Sequence, residues 1–81
     1  MDFIFTKDSE KQFLKLDSVV QLKIRKKIEK IKQWESYHLK LLVNMLPFTH
    51  RLRVDDYRLL LRQCDEWYEV LKVGHRWSVY K

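Results

Sequence analysis

Phe48-Thr49-His50-Arg51-Leu52-Arg53-Val54-Asp55-Asp56-Tyr57-Arg58-Leu59-Leu60-Leu61-Arg62 is the stretch that decides the fold. Phe48, His50, Leu52 and Val54 alternate with Thr49, Arg51 and Arg53, the period-two pattern of a strand with unlike faces. Asp55-Asp56 interrupts the pattern and Tyr57 to Arg62 resumes it, which reads as a hairpin. With Asp55-Asp56 as the loop, Val54 pairs with Tyr57, Arg53 with Arg58, Leu52 with Leu59, Arg51 with Leu60, His50 with Leu61 and Thr49 with Arg62. One face then carries Phe48, His50, Leu52, Val54, Tyr57, Leu59 and Leu61, a seat for an apolar layer. The other carries Arg51, Arg53, Arg58 and Arg62. Like charges opposite one another are mildly destabilising, so Arg53 across from Arg58 runs against stability unless an anion relieves it. Guanidinium groups suit phosphate because their donors form a planar fork. The plainer alternative is a solvated face whose arginines pair with Glu69, Asp55 and Asp56.

Beyond the hairpin, Cys64-Asp65-Glu66 makes a second break, and Trp67 to Val73 reads as a third strand ended by Gly74. The tail adds Arg76, Trp77, Tyr80 and Lys81, a mixture of cations and rings that suits unpaired RNA, although a rim-packing role for Trp77 fits as well. Ahead of the hairpin, Pro47 ends the segment Glu35 to Leu46, which reads either as a further helical turn or as a buried connection. Val20, Ile24, Ile28 and Ile31 form one stripe of a helix running to about Trp34. Lys23, Arg25, Lys26, Lys27, Lys30 and Lys32 flank it, as a solvated face or as a docking surface for RNA or an acidic partner. Ser9 with Gln12, and Ser18 with Gln21, have the form of capping boxes that open a short and a longer helix. Phe3-Ile4-Phe5-Thr6 reads as an opening strand. The expected architecture is α+β: a strand, a two-helix hairpin, then a three-stranded antiparallel meander with the helices on one sheet face.

Composition sets the outer limits. A chain of 81 residues is expected to form a single domain spanning 1–81. Hydrophobic residues at 46% and charged ones at 35%, with one Gly and one Pro, exclude a disordered tail. A formal net charge of +6 favours polyanionic or acidic partners. Cys64 is the one cysteine, so an internal disulfide is excluded and a reducing compartment such as the cytoplasm is expected. Neither a signal peptide nor a membrane span is evident.

Three histidines are available for proton transfer. His75, beside Arg76, is a candidate acid or base. His50 falls by parity on the apolar face as a core histidine, and His38 is given no role. No histidine pair has helical metal-ligand spacing, so no metal or other cofactor is implied.

At Arg51-Leu52-Arg53-Val54-Asp55-Asp56-Tyr57-Arg58-Leu59-Leu60-Leu61, and again at Val70-Leu71-Lys72-Val73-Gly74-His75-Arg76-Trp77-Ser78-Val79-Tyr80, the chain resembles the RelE/ParE superfamily of bacterial type II toxins, nearer its RelE-like branch because Tyr80 is kept. The resemblance implies a ribosome-dependent mRNA endoribonuclease that works without metal, through attack of a 2′-hydroxyl on the adjacent phosphate. It further implies growth arrest, and a hetero-oligomeric complex with an acidic antitoxin. On this reading Arg58, Arg76, Tyr80 and His75 are catalytic, while Arg51, Arg53, Arg62, Trp77 and Lys81 bind RNA. A gyrase poison of ParE type, or an inactive basic RNA-binding module, is the alternative. Where several RelE-like toxins offer lysine on the second strand, this chain offers Arg51 and Arg53, which stay protonated and make poor bases. The general base therefore stays open between His75 and Tyr80.

Overall fold

The computed structural model describes residues 2–34 and 39–80. Strand β1 (Asp2–Phe5) leads into helices α1 (Lys7–Leu14) and α2 (Ser18–Trp34), followed by β2 (Leu39–Leu41), β3 (His50–Val54), β4 (Tyr57–Gln63) and β5 (Trp67–His75). They form a five-stranded mixed sheet in the order β1-β5-β4-β3-β2, with β1 parallel to β5 and the other pairings antiparallel. The α+β class and the helical layer on one face are as the sequence predicts. The sheet exceeds the expected meander because Leu39–Leu41, within the stretch read as a helical turn or a buried connection, forms β2, while residues 35–38 of that stretch lie outside the described residues. That edge strand pairs Leu39 with Leu52 and Leu41 with His50. Three residues are too few for periodicity to reveal a strand.

The hairpin has the expected register from His50↔Leu61 to Val54↔Tyr57. Asp55 takes a φ of 53° in the loop, a left-handed conformation that aspartate tolerates better than most residues. Ile24, Ile28 and Ile31 of α2 and Phe13 of α1 are buried against Leu52, Val54, Leu59, Leu61, Tyr68, Val70 and Val73. Burying each such side chain contributes roughly 1.5–3 kcal/mol, so this layer holds the fold. Phe48 is not part of it. Its ring lies 5.7 Å below the Lys72 ammonium, on the opposite side of the sheet from the helices, because the backbone leaves strand geometry before His50 and parity no longer applies.

Helix α1 starts earlier than the Ser9 signal suggests. Thr6 is the N-cap, and Ser9 sits at the third helical position, completing a reciprocal capping box. Ser9 is also fully buried, and its hydroxyl donates to the Val70 carbonyl at 2.6 Å, tying α1 to β5. In α2 the Gln21 amide donates to the Asp17 carbonyl at 2.9 Å, which makes Asp17 rather than Ser18 the cap position. The Gln21 side chain instead donates to Leu14 and Leu16 carbonyls, closing the end of α1.

A bulge in β5 decides what reaches the far face. Leu60 pairs with Lys72 but Leu61 pairs with Val70, so Leu71 is the extra residue. Strict alternation from Tyr68 and Val70 would turn Lys72 and Gly74 toward the helices. The inserted residue reverses this: Val73 joins the core while Lys72 and Gly74 share the side of Leu60 and Arg58.

Candidate nucleic-acid interface

Across β3, β4 and β5, cross-strand neighbours form two rows on the face away from the helices: Arg51, Leu60 and Lys72, then Arg53, Arg58 and Gly74. Gly74 lacks a side chain, and the chain after β5 folds back over that space. The amides of Ser78 and Val79 both donate to the His75 carbonyl at 2.9 Å, making one tight turn. Val79 is buried in it, with its side chain 3.6 Å from where a Cβ on Gly74 would stand. Leu60, fully buried yet outside the helical core, belongs to this second, smaller apolar layer.

The turn delivers Tyr80 to the arginines. Arg51 Nη1 donates to the Tyr80 hydroxyl at 3.3 Å, and the Arg51 Nε is buried with no hydrogen-bond partner among the described residues. Arg58 is 7% exposed, with Nη1 donating to the Asp55 carbonyl at 2.9 Å and the Tyr57 carbonyl at 2.8 Å. Burial lowers its pKa first, and the nearby charges of Arg53, Arg51 and Arg76 lower it further, against an opposing influence of Tyr80. An arginine so placed still carries its charge at neutral pH. These four guanidinium groups and one phenol therefore share one electrostatic neighbourhood.

The remaining positions divide. Arg76 is exposed, 4.7 Å over the Trp77 ring and 3.6 Å from an Asp56 carboxylate oxygen, while its amide donates to the Asp56 carbonyl at 2.7 Å. Trp77 is 69% exposed, its ring lying against the Arg76 guanidinium and otherwise turned largely to solvent. Arg62 lies at the other end of β4, its Nη2 2.9 Å and Nε 3.0 Å from one Glu69 oxygen, which engages it in an ion pair away from the Arg51–Tyr80 junction. Lys81 lies outside the described residues.

His75 is not brought to this cluster. The bulge turns it to the parity of Tyr57, whose ring meets the imidazole edge-on at 5.5 Å, and its Nδ1 accepts the Trp77 amide at 3.3 Å. Sequence adjacency to Arg76 suggested otherwise because it carries no information about a bulge. His50 does pack as a core histidine, edge-on to Tyr68 at 5.4 Å, and burial lowers its pKa. Conversely, Lys72 and Phe48 join the arginine face although alternation hid both. For Lys72 the one signal is the departure of Leu71 from the pattern; for Phe48 there is none.

This fold has counterparts among solved structures. A chain of the RelBE2 toxin-antitoxin complex from Mycobacterium tuberculosis superposes with a TM-score of 0.78 at 26% identity, covering 93% of this chain and 96% of that one. Isolated RelE toxin from E. coli gives 0.71 at 26% identity, over 91% of this chain and 82% of that one. This is the RelE fold. A chain of the RelB-RelE complex from Methanococcus jannaschii shares it with a TM-score of 0.73 at 21% identity, covering 95% and 94% of the two chains. No family model matches the sequence, and no curated protein matches it. What the chain shares with these structures is the fold, at 21–26% identity. Among the described residues, no helix is long and apolar enough to cross a membrane.

Proposed function

We propose that this RelE-like chain is the toxin of a type II toxin-antitoxin pair, and that it cuts mRNA on the ribosome through attack of a ribose 2′-hydroxyl on the adjacent phosphate. The observation that carries the reading is the junction of Arg51 with Tyr80, 3.3 Å apart, beside Arg53, Arg58 and Arg76. Phosphate charge grows in the transition state, and fixed guanidinium groups in a partly desolvated site stabilise it more than they stabilise the ground state. Arg51, Arg53 and Arg76 present donors to the phosphate. Arg58 lies beneath them as a fixed positive charge held by the hairpin carbonyls.

Cleavage also moves two protons, off the attacking 2′-oxygen and onto the departing 5′-oxygen. Arginine cannot exchange either one at neutral pH. The Tyr80 hydroxyl, hydrogen-bonded to Arg51, gives its proton to the departing 5′-oxygen, while the proton released by the 2′-hydroxyl passes to solvent water and the phenolate is reprotonated from solvent afterwards. Its ring, 43% exposed, is open to a stacked base, as is Trp77. His75 has no part in this scheme, since its ring lies against Tyr57. An acidic antitoxin covering the cationic face in the cytoplasm would silence the toxin.

The test is a brief pulse of expression followed by mapping of transcript ends, with wild type beside Tyr80→Phe and Arg51→Ala. Cleaved transcripts and growth arrest are expected from wild type. Tyr80→Phe, which keeps the ring and loses the hydroxyl, should cut roughly a hundredfold more slowly, the low end of what a lost proton donor costs. Toxicity with intact transcripts and inhibited supercoiling would replace this reading with gyrase poisoning. RNA binding with neither cleavage nor toxicity would replace it with an inert binder.

A further inference from the structure

A second cationic feature lies around the edge of the sheet. Lys23, Lys26, Lys27 and Lys30 of α2 line a groove of about 250 Å³ with Arg53, Val54 and Asp55. Their spacing of three and four residues sets them on one flank of the helix, next to the buried stripe of Ile24, Ile28 and Ile31. Like charges at such spacing destabilise a helix by a few tenths of a kcal/mol per pair, so the row is a local cost to the fold.

The two flanks of α2 differ in how their charge is spent. On one, Arg25 lies 5.4 Å over the Phe13 ring, and Lys32 sits 3.6 Å from Asp2 and 3.7 Å from Glu29. On the lysine flank, Asp55 pairs with Lys23 at 2.9 Å. Among the described residues no carboxylate pairs with Lys26, Lys27 or Lys30. Arg53 joins this groove to the cradle, since it lines the one and depresses the pKa of Arg58 in the other. β2 pairs with β3 only as far as Leu52, and the groove opens beyond that point.

We propose that the lysine groove is a second phosphate-binding track, which carries the backbone of the same single RNA strand onward from the cradle over Arg53 and along α2. This inference rests on the RNA reading above. From Lys23 to Lys30 the helix rises about 10 Å, enough to face about three phosphates of a stacked strand. The row supplies point charges without bidentate geometry or an aromatic platform, so it adds affinity and reach with no base preference.

The experiment measures binding of 2′-O-methyl single strands, which resist cleavage, with lengths of about three and about twelve nucleotides spanning the usual site sizes. The proteins are wild type, the triple variant Lys26→Gln, Lys27→Gln, Lys30→Gln, and Asp55→Asn, with circular dichroism as the folding control. Wild type is expected to bind the long strand more tightly than the short one. The triple variant should lose roughly tenfold in affinity for the long strand at about 0.1 M salt, with a log–log salt slope shallower by about two, at about 0.7 per phosphate. Its affinity for the short strand should not change. Asp55→Asn, which frees Lys23, should tighten the long strand and steepen its slope. Loss of the short strand's binding in wild type would overturn the cradle itself. Equal slopes for wild type and the triple variant on the long strand would overturn the groove alone. A triple variant that loses an acidic peptide but not the long RNA would make the track a protein contact and overturn the proposal.

Discussion

Arg58 is a charged side chain at 7% exposure whose partners are two backbone carbonyls of its own hairpin. It therefore braces the loop as well as charging the cradle, and Arg58→Ala would confound loss of function with loss of the hairpin. Arg51 is the cleaner probe, because it is only half-buried and its one hydrogen-bond partner among the described residues is Tyr80. The same distinction separates the histidines. His50 has its pKa lowered from 6.5 by desolvation. As pH falls below the ordinary value, the unfolded chain takes up that proton before the native one does, so stability is lost. The expected outcome is a thermal midpoint that declines from about pH 7 to about pH 5, with a smaller decline in His50→Gln. Identical slopes for the two proteins would show that His50 titrates alike in both states.

The turn after β5 is the element on which the site depends. It carries Tyr80 without a helix or strand of its own, held by amides on the His75 carbonyl and by Val79 against Gly74. A methyl on Gly74 would meet Val79 atoms at 3.6–3.8 Å, ordinary contact, so Gly74→Ala should fold and cut RNA as wild type does. Gly74→Leu has no such room and should lift the turn, separating Tyr80 from Arg51. Activity should then fall at least as far as in Tyr80→Phe, and the thermal midpoint should fall by a few degrees as Val79 and Leu60 lose cover while the helical layer stays folded. Wild-type cleavage by Gly74→Leu would show that the turn's position is irrelevant. Much of this was legible in the sequence, since the alternation around Asp55-Asp56 gives the hairpin, its register and the arginine face. The helical stripe gives the other layer. What alternation cannot give is the bulge at Leu71, because one inserted residue inverts every assignment after it. That is why neither the turn of His75 toward Tyr57 nor the arrival of Lys72 on the arginine face can be read from alternation.

For the whole molecule, a net charge of +6 is distributed in a way that opposes folding. Arg51, Arg53, Arg58 and Arg76 repel one another on one face, and the lysine row of α2 continues that field around the sheet edge. The five ion pairs among the described residues each have at least one exposed partner and contribute little. Salt should therefore act on repulsion more than on attraction. The screening length shrinks from about 30 Å at 0.01 M to about 10 Å at 0.1 M, so contacts within the cluster gain least and longer-range repulsion fades. The free chain is expected to melt at a higher temperature as sodium chloride rises over that range. A partner that covers the cationic face should reverse the sign. It binds the native state alone, stabilises it by mass action, and releases counterions as it binds, so added salt weakens it. Melting curves of the free chain and of its complex with a short RNA should thus converge as salt rises. Parallel curves would mean that the convergence of guanidinium groups carries no energetic weight in this fold.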